Sequence, residues 1–94
     1  MELTFEWDED KARENLKKHK VSFDEAQTVL MDPWSITIPD PDHSMDEERF
    51  IDVGTSARGR LLVVVYTERG ANIRLISCRK ATPSERRKYE TGTI

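Results

Sequence analysis

Cysteine, histidine and glycine are all scarce in this chain of 94 residues, and each scarcity excludes something. The one cysteine, Cys78, rules out an internal disulfide and suits a reducing compartment. Its setting beside Leu75 and Ile76 reads as a small core residue rather than a reactive thiol. The four glycines stand singly at 54, 59, 70 and 92, so there is no phosphate-cradling glycine loop. No HExxH, CxxC or nucleophile elbow occurs, which leaves serine, cysteine and metal hydrolase mechanisms without local support. No apolar run approaches the ~20 residues that span a bilayer. The opening Met1-Glu-Leu-Thr-Phe-Glu-Trp-Asp8 lacks the basic start and apolar stretch of a signal peptide. With 36% hydrophobic residues the core must be thin and its apolar residues well placed. The expectation is one domain over residues 1–94, cytoplasmic, with no membrane contact.

What is abundant is charge, and it is unevenly laid out. Residues 1–57 hold 6 basic against 15 acidic residues, whereas residues 58–94 hold 9 against 3, so the formal −3 hides a basic C-terminal half. Such asymmetry points towards nucleic acid. The basic half also reads most clearly as sheet, and arginines on a rigid sheet suit phosphate, because the guanidinium fork offers paired donors and stays charged.

The pattern predicts an α+β domain with two N-terminal helices, a mostly antiparallel sheet of about four strands and a short basic C-terminal helix. Leu3, Phe5 and Trp7 alternate with polar residues as in a short strand. A first helix runs from Glu9 to His19, capped by Asp8, with Ala12, Asn15, Leu16 and His19 on one face. A second starts at the capping box Ser22-Phe-Asp-Glu25 and stops at Asp32-Pro33, burying Phe23, Ala26, Val29 and Leu30. A short strand over 34–38 leads to an acidic loop, Pro39 to Glu48. Strands over 49–55, 60–68 and 72–81 then form an antiparallel meander joined by tight turns. The capping box Thr82-Pro-Ser-Glu85 opens the last helix.

Four groups of residues carry possible chemistry. Strict alternation puts Arg74, Ile76, Cys78 and Lys80 on one strand face, and Leu75, Ser77, Arg79 and Ala81 on the other. Arg79 then lies at a strand end just before a helix N-terminus, itself a place for anions. The basic set continues through Arg58, Arg60, Arg86, Arg87 and Lys88. His19 with Asn15 offers a general acid or base near neutral pH. Glu48-Arg49 pairs a carboxylate with an arginine where the acidic loop enters the sheet. His43 with Asp40, Asp42 and Asp46 matches no known ligand spacing and reads as a solvated loop; no metal and no cofactor are expected.

Taken together, several segments resemble the BrnT family, the ribonuclease toxins of type II toxin–antitoxin systems. They are Phe5-Glu-Trp-Asp8, Lys11, Asn15-Leu-Lys-Lys-His19, Val21-Ser-Phe-Asp-Glu-Ala26, Asp42-His-Ser44, Glu48-Arg-Phe50, Gly54, Gly59 to Val65, Ile73 to Ser77, Arg79-Lys-Ala81, Glu85-Arg-Arg87 and Tyr89. The resemblance implies a RelE-like fold and an endoribonuclease that arrests translation when free. It also implies an antitoxin partner, typically a ribbon-helix-helix protein, through which alone operator DNA is reached. Where the family usually has glycine after the histidine of the first helix, this chain has Lys20. For metal-independent RNA cleavage the residues expected to act are Arg79 and Arg49 on the phosphate, with His19 or Glu48 as base or acid. Arg60, Arg74, Lys80, Arg86 and Arg87 are expected to line the RNA path. The competing expectation is a non-catalytic domain that binds nucleic acid or a partner, as an inert toxin or co-repressor.

Overall fold

A computed structural model describes residues 4–39 and 48–92. Each helix begins where a side chain can accept its orphan N–H groups. Helix α1 (Glu9–His19) is capped by Asp8, which accepts from the N–H groups of Asp10 and Lys11. Helix α2 (Phe23–Val29) is capped by Ser22, and helix α3 (Pro83–Thr91) by Thr82. The α3 cap is the reciprocal box expected, whereas the Ser22 cap is only half of one, because the Glu25 side chain turns away to Arg60.

The strands are β1 (Thr4–Glu6), β2 (Ile36–Pro39), β3 (Arg49–Thr55), β4 (Leu61–Arg69) and β5 (Asn72–Lys80). They form one sheet in the order β1-β5-β4-β3-β2. The sheet thus has five strands instead of about four, and it is mixed. Strands β2 to β5 make the antiparallel meander, while β1 pairs parallel with β5 over Thr4–Glu6 only. Beyond that short pairing β5 would have a bare edge. The Asn15 amide fills the gap: its Oδ1 accepts from the Cys78 N–H at 3.0 Å, and its Nδ2 donates to the Cys78 carbonyl at 2.8 Å and the Val21 carbonyl at 2.9 Å. One buried side chain does here what a neighbouring strand would do.

Both α1 and α2 cover one face of the sheet, where Val21, Phe23, Ala26 and Val29 pack on Leu62, Val64, Tyr66, Leu75 and Cys78. Trp7 meets the Phe23 ring edge-on at 5.9 Å. The stripe on α1 is turned relative to expectation, since Asn15 is its buried residue and Leu16 is half exposed. Gly54 lets the end of α2 come down on β3, because a Cβ there would stand 3.0 Å from Ser35 Cβ and 3.1 Å from Val29 Cγ1. Asp32 locks this corner: it accepts from the Thr55 N–H at 2.8 Å, the Tyr89 hydroxyl at 2.7 Å and the Trp34 N–H at 3.0 Å. Burial acts to raise its carboxyl, but those three donors outweigh it and hold it below the usual carboxylate range.

On the other face α3 packs through Tyr89 against Val53, Leu61 and Val63. None of its residues is buried, as a helix with one apolar position should be. Among the described residues no helix is long and apolar enough to cross a membrane.

Candidate functional site

The face that carries α3 is decided by an irregularity in β5. Val65 pairs with Ser77 but Tyr66 pairs with Leu75, so Ile76 is an extra residue, a β-bulge. The bulge resets the alternation. Leu75 and Cys78 both enter the core under α1 and α2, and Lys80, opposite the core residue Leu62, follows them to that face. Arg74, Ser77 and Arg79 therefore share the face of α3. This corrects the strict alternation, which groups Arg74 with Lys80 and separates it from Arg79.

Across the sheet the α3 face carries two basic rows. In one, Arg49 on β3 lies beside Thr67 on β4, then Arg74 on β5 and Glu6 on β1. In the other, Arg79 lies beside Val63 and Val53. The rows are four β4 residues apart, or ~13 Å at the usual rise of a strand. Arg49 thus stands with Arg74, two rows away from Arg79, with the row of Ile51, Val65 and Ser77 between them. The buried Thr67 hydroxyl donates to the Glu48 carbonyl at 2.7 Å and fixes the entry to β3, where the Glu48 side chain is exposed.

Arg79 is held from below by α3. Its Nη1 donates to Glu85 Oε1 at 2.8 Å and its Nη2 to Glu85 Oε2 at 2.9 Å. Glu85 is the capping-box residue, and its Oε1 also accepts from the Thr82 N–H at 2.9 Å. The Arg79 hydrogen bonds, with burial opposing and the Thr82 N–H assisting, bring its carboxyl down to about 2. The anion position at the start of α3 is therefore taken by the chain's own carboxylate. Sequence reasoning read Glu85 only as a cap; the signal was its place, six residues after Arg79 across a short strand-to-helix turn.

The remaining candidates lie elsewhere. Arg60 is engaged in the helix layer: Nε and Nη2 grip both Glu25 oxygens, and Nη2 also donates to the Lys20 carbonyl at 3.1 Å. Ser56 adds a hydrogen bond to Glu25 at 2.7 Å. The Arg60 hydrogen bond, against burial, keeps the Glu25 carboxyl low. Lys20 adopts the left-handed conformation at φ 62°, the helix-ending position that favours glycine. His19, half-buried at the end of α1, and the exposed Lys80 belong to this layer too, away from the arginine rows. Arg86 and Arg87 are exposed on α3. Burial pushes the Cys78 thiol up to about 12, which makes it a core group. His43 and its aspartates lie outside the described residues, and among the described residues no cluster of three His, Cys, Asp or Glu side chains gathers.

A mixed five-stranded sheet with two helices on one face and a small helix docked on the arginine-bearing other face defines a small α+β protein. The chain matches a family model, "Ribonuclease toxin, BrnT, of type II toxin-antitoxin system", over residues 7–85. It belongs to the BrnT family of ribonuclease toxins of type II toxin–antitoxin systems. Its fold is similar to that in a crystal structure of the Brucella abortus ribonuclease toxin BrnT, with a TM-score of 0.66 at 22% sequence identity, over 87% of this chain and 99% of that one. No curated protein sequence matches it.

Proposed function

We propose that this ribonuclease toxin cuts RNA without a metal ion, on the sheet face that carries α3, with Arg79 at the scissile phosphate. The observation that carries the reading is the bulge at Ile76, which gathers Arg74 and Arg79 on the face that Arg49 also occupies. In the reaction a base takes the proton of a 2′-hydroxyl and the 2′-oxygen attacks phosphorus. The bond to the 5′-oxygen breaks, and an acid returns a proton to that oxygen, leaving a cyclic phosphate and a free 5′-hydroxyl. Arg79 stabilises the charge that builds on the non-bridging oxygens. Arg49 and Arg74, in their own row ~13 Å away, hold a phosphate farther along the strand, and Arg86 and Arg87 extend the path along α3. His19 or Glu48 moves the protons. Glu48 adjoins Arg49, whereas His19 stands in the helix layer, so the two assignments make different predictions. Arg60 and Lys80 contribute from the far side, and for Arg60 the grip of Glu25 argues for a structural part.

The partner is the antitoxin, a ribbon-helix-helix protein that covers the arginine face in competition with RNA. Operator DNA is reached through that protein only. The whole chain, 1–94, acts as one domain in the cytoplasm, where its RNA and its antitoxin are made.

The test is cleavage of single-stranded RNA by the purified chain in EDTA. Arg79→Ala should lower kcat by roughly 10²–10³-fold, the usual loss of one preorganised charge-stabilising donor group. Its circular dichroism should be unchanged. Cleavage by Arg79→Ala at the wild-type rate would sink the assignment, and loss of wild-type cleavage in EDTA would sink metal independence. Affinity should fall steeply with salt, as for any site built on phosphate contacts.

A further inference from the structure

A guanidinium carries five N–H donors, arranged so that a two-oxygen acceptor can dock on its end or on its side. Arg79 is taken at its end. Nη1 donates to Glu85 Oε1 and, at 3.2 Å, to the Lys80 carbonyl, while Nη2 donates to Glu85 Oε2. Those three bonds leave the Nε–H and one Nη2–H, which together form the side-on pair. The Arg79 side chain is 42% exposed, and among the described residues nothing accepts a hydrogen bond from its Nε. Glu85 is itself fixed, by the Thr82 N–H at 2.9 Å and by the helix it opens. The geometry is that of a support that grips one edge of a cation and offers the other.

We infer that Glu85 is a positioning residue for RNA cleavage: by gripping the end of the Arg79 guanidinium it aims the Nε–Nη2 edge at two non-bridging oxygens of the RNA phosphate. This rests on the placement of Arg79 at the scissile phosphate. An arginine left to wander among rotamers would meet the phosphate in a productive pose only part of the time, whereas a held one is preorganised. A carboxylate that merely competed with phosphate would do the reverse, and removing it would raise activity.

The experiment compares wild type, Arg79→Ala, Glu85→Gln and Thr82→Ala, each matched for folding by circular dichroism. Thr82→Ala weakens the helix cap but leaves the Arg79–Glu85 fork, so it separates helix stability from positioning. Glu85→Gln should lower kcat about tenfold with KM changed by less than about threefold, since the lost interaction acts in the transition state. Thr82→Ala should keep the wild-type kcat. A second readout needs no turnover: a single-stranded 2′-deoxy oligonucleotide, which lacks the attacking hydroxyl, should shift the Arg79 Nε–H resonance in wild type and Thr82→Ala but much less in Glu85→Gln. A kcat for Glu85→Gln at or above wild type, with Arg79→Ala inactive, overturns the positioning role while leaving Arg79 in place. Full activity of Arg79→Ala overturns the placement beneath it. An Arg79 Nε–H resonance that does not move when wild type binds the oligonucleotide overturns the inference whether or not free RNA is cleaved.

Discussion

Among the described residues two arginine–glutamate forks stand out, one in each layer, and they differ in which edge of the guanidinium is left over. Arg60 presents its side, Nε and Nη2, to Glu25, whose side chain is only 4% exposed; Arg60 itself is 30% exposed. Arg79 presents its end, Nη1 and Nη2, to Glu85, at exposures of 42% and 23%. The first fork is wrapped by Ser56 and the Lys20 carbonyl and ties α2 and the α1–α2 turn to the hairpin between β3 and β4. The second lies at the margin of a sheet face and keeps its side-on donors. The residue types are the same; what separates the two forks is which donors remain and how far the pair is exposed.

The largest break between the two should come from Glu25→Ala. It leaves the Arg60 guanidinium without its carboxylate in a partly buried setting, and loss of one partner of a buried pair is worth about 3–5 kcal/mol. For a chain of this size each kcal/mol moves the melting midpoint by roughly 4–8 °C, so thermal unfolding should show a drop well above 10 °C. The fraction still folded at low temperature should cleave RNA at the wild-type kcat. Arg79→Ala should do the opposite, with kcat lost and the melting midpoint within a few degrees. If Glu25→Ala leaves stability unchanged, the wrapped fork is not the brace described.

How far could these roles be read from the sequence? The caps could, because they are local: Asp8, Ser22 and Thr82 each precede a helix by one residue, and α1, β3 and β5 begin where expected. The bulge is subtler. Ile73, Leu75 and Cys78 are core-facing or packed on the core while Arg74, Ser77 and Arg79 are not, and the change from spacing two to spacing three was written in the order Leu75-Ile-Ser-Cys78. Strict alternation overrode it. The parallel pairing of β1 and the strand-like part of Asn15 depend on residues 63 and more positions apart, which no local window holds. Part of the acidic half's charge is spent inside the fold. Glu25, Asp32 and Asp52, all from the acidic half, are committed to internal hydrogen bonds, with Asp52 accepting from Tyr66 and Thr37 beneath the sheet. Charge by segment is not charge by face.

Lys20→Gly sharpens the comparison from the stabilising side. Lys20 is the non-glycine residue at positive φ among those described, and its carbonyl is held by Arg60. A left-handed residue with a Cβ is strained by about 1–2 kcal/mol, while glycine enters freely but loses more chain entropy on folding. The net gain expected for Lys20→Gly is about 1 kcal/mol, read as a higher midpoint in urea at an unchanged slope. The gain should persist in the Glu25→Ala background if the strain is local to the turn. Its disappearance there would show that the Arg60 fork, rather than the helix end, imposes the conformation.

The smallest effect concerns acid. Glu85 titrates near about 2 in the folded chain against 4.5 ordinarily, because Arg79 holds its charged form. A depressed folded value means that the unfolded chain binds the proton first. The stabilisation is therefore complete above pH 4.5 and is lost as pH falls from there towards 2. Arg79 is more than a third exposed, so water and salt screen the pair, and the amount should stay below about 1 kcal/mol. Glu85→Gln should lower the unfolding free energy by that amount at pH 7, and the gap to wild type should close between pH 4.5 and pH 2. The Glu25 fork has the same sign, since Arg60 lowers its carboxyl too, but being wrapped it should lose more over its acid range and resist added salt. Unfolding titrations of Glu25→Gln and Glu85→Gln at low and high salt decide the matter. A Glu85 gap that is large and salt-insensitive would mean that the second fork is as closed as the first, with no side-on donors open to a phosphate.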